Sequence, residues 1–175
     1  MCFLWNSVDG ASILLTHNIS ILTIMNSKNF ISACESGWTS FGHTGHCYQY
    51  FSSLLSWNAS RSYCQAAAPP GKLGDLASVG DHFTNSFLAQ LTSDYVWLGG
   101  YNDVTTGWTW SDGSRWRFSN WASGQPSGGN QHHLAFNFQS SPGAWNDINL
   151  SSERGFICKY TGRVMQAGVI ILSMS

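Results

Sequence analysis

The sequence predicts an α+β domain: two helices set among short strands, with one long irregular loop late in the chain. Three observations predict it. Helical periodicity occurs twice between residues 56 and 91 and stops after Tyr95. Beyond that point, short runs rich in Val, Trp and Phe alternate with stretches dense in Gly, Ser and Asn, the pattern of strands and turns. Five cysteines, at 2, 34, 47, 64 and 158, are widely spaced with no Cys-x-x-Cys pair, which favours disulfides over a closed zinc site.

Taken in order, residues 1–30 read as a leader without fixed structure. Ile13-Leu14-Leu15 and Ile19–Met25 are apolar, but Asp9, His17 and Asn18 interrupt them and no early basic residue precedes. This is a degenerate signal segment at best. Glu35–Phe41 and Cys47–Phe51 alternate as two short strands with Gly42–Gly45 as their turn, and a Cys34–Cys47 bridge could staple that hairpin. Ser56 is an N-cap, followed on one helix face by Trp57, Ser60, Cys64 and Ala67, and Pro69-Pro70-Gly71 ends the helix. Leu73–Val79 is a short strand-like link. Asp81 caps a second helix whose expected buried face is Phe83, Phe87, Leu88 and Leu91. Val96–Gly100 and Gly107–Trp110 read as strands, residues 111 to 130 as a long loop, and His133–Phe138 and Gly155–Tyr160 as the last strands. Residues 161–175 read as a frayed tail, because the apolar run Val169–Leu172 is far short of the ~20 residues that cross a bilayer.

Composition narrows the function classes. At 175 residues the chain fits one domain plus tails. Only 10% of residues are charged and the formal net charge is −1, against a usual charged share of ~25%. No basic stripe exists, so nucleic acid is a poor partner. Aromatic residues make up 14%, which gives an aromatic-cored domain. The wide cysteine spacing and three Asn-x-Ser sequons, at Asn18, Asn58 and Asn149, point to an oxidising, secreted setting. Four cysteines of the globular region make two pairs, and Cys2 is left over. His132-His133 and the His43-x-x-His46 pair lack a third ligand and read as ordinary histidines. No nucleophile elbow, His-Glu-x-x-His, phosphate loop or paired-carboxylate pattern appears, so no enzyme is expected.

A set of signposts in order carries a resemblance. They are Gly37-Trp38, Cys47-Tyr48, Trp57 with Cys64, Leu76-Ala77-Ser78-Val79, Trp97-Leu98-Gly99, Asn120-Trp121, Trp145-Asn146-Asp147 and Phe156-Ile157-Cys158-Lys159. From 34 to 160 the chain resembles the C-type lectin-like domain in its long form, with an extra N-terminal cysteine pair. That resemblance implies two helices flanking antiparallel sheets, with a long loop carrying the ligand site. It implies the disulfides Cys34–Cys47 and Cys64–Cys158, the second closing a long loop and contributing ~4–5 kcal/mol by chain entropy. It also makes Trp97 a core residue.

The same resemblance places five ligand positions on Gln125, Ser127, Gln131, Asn146 and Asp147, of which Gln125, Gln131, Asn146 and Asp147 would be the calcium ligands. Sugar-binding relatives carry Glu-Pro-Asn or Gln-Pro-Asp in the loop and a Glu where Gln131 stands. Here the set offers three amides, one hydroxyl and one carboxylate. Calcium affinity follows ligand charge, so binding is expected to be weak or absent. A second calcium position falls on Asn102 and Thr106 and is rejected; Asp103 reads as a turn residue. The inner disulfide of most relatives falls on His133 and Leu150, so residues 122–130 and 139–150 are expected to be more mobile than in those relatives. The function expected is a secreted recognition module that binds a glycan or glycoprotein with weak or absent calcium dependence. The alternative is a calcium-independent module of the same fold that binds a protein or another surface.

Overall fold

The computed structural model describes residues 34–162 throughout, with backbone strands at 5–8, 11–16, 19–22 and 170–171. The chain divides into two compact units, Met1–Ile31 with Val164–Ser175, and Ser32–Arg163. In the first unit, strands β1 (Trp5–Val8), β2 (Ala11–Thr16), β3 (Ile19–Leu22) and β12 (Ile170–Ile171) form one sheet in the order β1-β2-β3-β12. Its three pairings are antiparallel, with Trp5 opposite Leu14, Leu14 opposite Ile21, and Ile170 opposite Leu22. The sequence reading places no regular structure in either terminal segment; the residues described there are these strands. Short runs such as Ile19–Leu22 and Ile170–Ile171 have no period that separates a strand from a leader or a tail. Cys2 and Asn18 lie outside the described residues.

The second unit opens with the hairpin β4 (Thr39–Phe41) and β5 (His46–Leu55), held by the Cys34–Cys47 disulfide. Helix α1 (Trp57–Ala67) starts where Ser56 Oγ accepts the Ala59 N–H, and it buries Trp57, Ser60 and Cys64 as its periodicity predicts. The Cys64–Cys158 disulfide then ties α1 to the last strand of the unit. Strand β6 (Gly74–Leu76) runs so close under α1 that a Cβ on Gly74 would meet the Cys64 carbonyl oxygen at 2.3 Å.

Helix α2 (His82–Leu91) begins where Asp81 Oδ1 accepts the Thr84 N–H at 2.8 Å. Its buried residues are Thr84, Asn85 and Leu88, whereas Phe83 is 59% exposed. This corrects the expected face. The helix phase follows Asn85, whose amide donates to the Gly143 carbonyl at 3.1 Å and accepts the Trp145 indole N–H at 2.8 Å. Losing either partner would strand a buried polar group, which outweighs the burial of one phenyl ring at the helix start.

The strands β7 (Val96–Asp103), β8 (Gly107–Trp110), β9 (His133–Phe136), β10 (Trp145–Ile148) and β11 (Arg154–Thr161) complete an eight-stranded sheet. Its path is β10-β9-β7-β11-β5-β4, with β6 added to β11 and β8 to β7. The pairings are antiparallel apart from β7 with β11, which run parallel at Phe156 opposite Trp97. Strand β10 has no counterpart in the sequence reading and lies within the segment expected to be mobile, yet it is paired to β9 and largely buried.

Two buried clusters fill the unit: one around Leu88, Leu98, Trp110, Phe136, Trp145 and Ile157, the other around Trp57, Cys64, Leu76, Trp97, Phe156 and Cys158. The ring of His133 lies against this second cluster, 4.7 Å from the Trp57 ring and 6.5 Å from that of Trp97. No helix among the described residues is long and apolar enough to cross a membrane.

Burial lowers both His133 and His46 from 6.5 to about 4, helped by the nearby Lys159 charge at His46 and by His132 at His133. An unfolded imidazole takes up its proton as the pH falls through 6.5, while the folded ones wait until about 4. The unfolded chain therefore binds more protons across that window, and stability falls as the pH drops through it. Urea midpoints followed across the window should decline, and His133→Gln and His46→Gln should each remove about one proton's worth of the slope. A pH-independent midpoint would contradict the buried, neutral placement of these rings.

Candidate functional site

Trp145 organises the base of the long loop. Its backbone N–H donates to the Asn120 carbonyl and its carbonyl accepts the Ala122 N–H, both at 2.9 Å. Trp121 joins it through an isolated parallel bridge, and the two indoles pack edge to face at 5.6 Å. The Asn120 amide reaches the Gly143 carbonyl at 2.7 Å, closing the opposite side. The loop thus leaves and rejoins a buried aromatic anchor.

From Ala122 the chain turns with Gln125 N–H on the Ala122 carbonyl at 2.9 Å and a cis peptide bond between Gln125 and Pro126. Gly128 and Gly129 follow at φ of 75° and 67°, a left-handed pair that residues with a Cβ adopt at a cost. This geometry aims consecutive backbone N–H groups at one point. Asp147 occupies it.

Asp147 is fully buried in β10. Its Oδ1 accepts the Ser127 N–H and its Oδ2 the Gly128 N–H, each at 2.7 Å, and Ser127 Oγ lies 3.3 Å from Oδ1. A carboxylate between successive amides is a charge-assisted anion nest, and the buried charge is stabilised there by the loop itself. Ser127 Oγ also reaches Gln131 Oε1 at 3.2 Å, while Gln131 N–H bonds to the Gly128 carbonyl at 3.3 Å. Ser127, Gln131 and Asp147 are therefore one network.

Asn146 is next to Asp147 on the strand, so its side chain leaves on the other face. Its Nδ2 donates to the Tyr95 hydroxyl at 2.7 Å, and the Tyr95 ring carries the Arg154 guanidinium 4.0 Å from its centroid. Asn146 Oδ1 is buried without a hydrogen-bond partner, and so is Gln125 Oε1. Of the five predicted positions, three are joined in the network and two present unpaired amide carbonyls. Tyr95 escaped the sequence reading; nothing in the spacing of a strand-start tyrosine links it to Asn146, 51 residues on.

The residues do not fit a tightly held calcium ion. The cation takes six to eight oxygens and draws its affinity from carboxylates. Asp147 is the one carboxylate in the set, and both its oxygens already hold backbone amides. Among the described residues no group of three or more His, Cys, Asp or Glu gathers as a metal site. Asp103 is a turn residue as expected, its Oδ1 accepting the Thr105 and Thr106 N–H groups at 2.9 Å. His43 pairs with Asp81 at 2.8 Å.

The fold and the loop anchored on Trp145 and Asp147 define a lectin-type recognition domain. The family model for the lectin C-type domain matches residues 53–160, and the chain belongs to that family. It is similar to dromaiocalcin-1 of Dromaius novaehollandiae, 31% identical over 134 residues that cover 74% of this chain and 92% of the relative. The galactose-specific lectin nattectin of Thalassophryne nattereri is 29% identical over 141 residues, 75% of this chain and 83% of nattectin. Among solved structures, the C-type lectin CEL-I from Cucumaria echinata superposes with a TM-score of 0.65 at 26% identity, covering 74% of this chain and 99% of CEL-I.

The double substitution Ser127→Asp with Gln131→Glu adds two carboxylates beside Asp147. Titration calorimetry should then show calcium heat absent from the parent, since affinity follows ligand charge. If the double variant gains nothing, the ligand positions are misassigned.

Proposed function

We propose that this chain is an extracellular carbohydrate-recognition module whose hold on sugar has weak or absent calcium dependence. The observation that carries this reading is the Asp147 carboxylate, bonded at 2.7 Å to the Ser127 and Gly128 amides. In this reading the loop takes its shape from that internal anion, with no ion required to gather it. The unpaired carbonyls of Gln125 and Asn146 then accept hydrogen bonds from sugar hydroxyls, relieving two buried acceptors that otherwise lack partners.

Gln125-Pro126 resembles the loop of galactose-type members, and the name of nattectin, a galactose-specific lectin, supports the same direction. Two disulfides and the sequon at Asn149 support an extracellular setting. Asn149 is exposed in a turn, its Oδ1 accepting the Ser151 N–H and hydroxyl, and we assign N-glycosylation to it. At Asn58 the sequon serine, Ser60, is buried with its hydroxyl on the Ser56 carbonyl, so that site is not assigned.

Retention on galactose and mannose resins, with and without chelator, tests the reading. Retention on galactose that survives chelator, and that Asn146→Ala and Gln125→Ala each abolish, is the expected outcome. Elution by chelator would sink the calcium-independent mode, and passage through both resins would sink sugar binding itself.

A further inference from the structure

Seven buried side-chain atoms lack a hydrogen-bond partner among the described residues. Three of them, Thr84 Oγ1, Trp110 Nε1 and His46 Nδ1, belong to residues that line one cavity of about 140 Å³. Thr84 and Trp110 are almost wholly buried. Buried indole N–H groups ordinarily find an acceptor, and three neighbours obey: Trp57 bonds to the Leu98 carbonyl, Trp97 to that of Leu55 and Trp145 to Asn85. Trp110 is held by packing alone, stacked on Trp116 at 4.6 Å.

The same cavity is lined by two cations. Lys159 is buried, its ammonium paired with Asp112 and donating to Ser78 Oγ, which leaves one of its three N–H groups. Arg115 is exposed at the rim and makes no ion pair or hydrogen bond among the described residues. One carboxylate, Asp81, lines the cavity, and a second, Asp112, pairs with its Lys159; both are engaged. Asp112 holds Lys159 and accepts from Ser78 and Ser114, while Asp81 accepts the Thr84 N–H and pairs with His43. What remains unpaired is mostly donor: an indole N–H, a hydroxyl, an ammonium hydrogen and a guanidinium. Unpaired donors of this kind call for an acceptor.

We propose that the cavity bounded by Thr84, Trp110, Arg115 and Lys159 binds a small oxyanion: a carboxylate, sulfate or phosphate group. A second cavity of about 580 Å³ shares His46, Ser114 and Lys159 with it and adds Lys72 and Gln65. That space takes the body of a larger molecule whose anionic group sits against Trp110. None of these residues belongs to the loop around Asp147, so the site stands independently of the proposed sugar site.

The test is an NMR titration of the full chain with sodium sulfate and inorganic phosphate against sodium chloride at matched ionic strength. The indole N–H peak that disappears in Trp110→Phe identifies the reporter. Sulfate or phosphate should move that peak saturably, with the other eight tryptophans little changed. Arg115→Gln removes a charge-assisted donor and should weaken binding about tenfold or more. Thr84→Val keeps the shape but cannot donate; it should weaken the anion while leaving ligand-free stability equal or higher. Asn146→Ala should leave this binding unchanged, which separates it from failure at the loop. Galacturonate binding more tightly than acetate would place the guest's body in the larger cavity; equal binding would indicate a free inorganic anion as the occupant. A Trp110 peak that follows ionic strength alone, or saturable binding that both Arg115→Gln and Thr84→Val leave intact, overturns the proposal.

Discussion

The Cys64–Cys158 disulfide fixes helix α1 to strand β11, and β11 is where the pairings of the second unit converge. It bonds to β5, β6 and β7 together, and its Phe156 and Ile157 enter the two different core clusters. From this clamp the order is passed sideways: β7 positions β9, β9 positions β10, and β10 presents Asn146 and Asp147. The ligand loop is thus three strands removed from the covalent bond that fixes it. A bridge of sequence separation 94 restricts the unfolded chain strongly, so the clamp acts mainly by closing off unfolded conformations.

At the far end of that relay the molecule relies on noncovalent anchors. The loop base is held by the Trp145 backbone, by the Asn85 and Asn120 amides and by the Asp147 carboxylate. His133 falls at the position the resemblance gives to the inner half-cystine, and its ring fills space against Trp57 and Trp97. Each substitute has a cost that a disulfide lacks. The imidazole is stable there only while neutral, and the carboxylate is stable only while the Ser127 and Gly128 amides face it. The support of the loop thus rests on a neutral ring beside it and on its own backbone geometry.

These dependencies also decide what was legible in the sequence. Elements whose reasons are local were readable: Ser56 and Asp81 cap their helices from adjacent sequence, and Trp57, Ser60 and Cys64 follow a period set within one helix. Elements whose reasons are distant were not. The buried face of α2 is turned by Asn85 towards Gly143 and Trp145, 58 and 60 residues away, so Phe83 lies outside although its periodicity reads as core. Strand β10 consists of Trp-Asn-Asp-Ile, and Asn and Asp are poor strand formers; pairing with β9 overrides them. The resemblance named Gln125, Ser127, Gln131, Asn146 and Asp147 as candidate positions, but the engagement of Asp147 by the loop amides was not legible, because residue type says nothing of which hydrogen bonds are already made.

The distribution of unpaired polar atoms gives the two sites opposite characters. At the loop the stranded atoms are amide carbonyls, Gln125 Oε1 and Asn146 Oδ1, which accept. At the cavity under α2 they include the Trp110 indole N–H and the Thr84 hydroxyl, with buried Lys159 beside them, which donate. Desolvated acceptors are relieved by hydroxyl or amine hydrogens, and desolvated donors by oxyanions. A strong calcium ligand set would have made the loop a cation site; replacing carboxylates with amides leaves it able to accept hydrogen bonds without a charge to balance. Beside the cavity the charge lies in the Lys159–Asp112 pair. The residue types that weaken the metal site thus suit the loop, in the proposed reading, to neutral hydroxyl groups, and the proposed recognition of negative charge falls to the cavity.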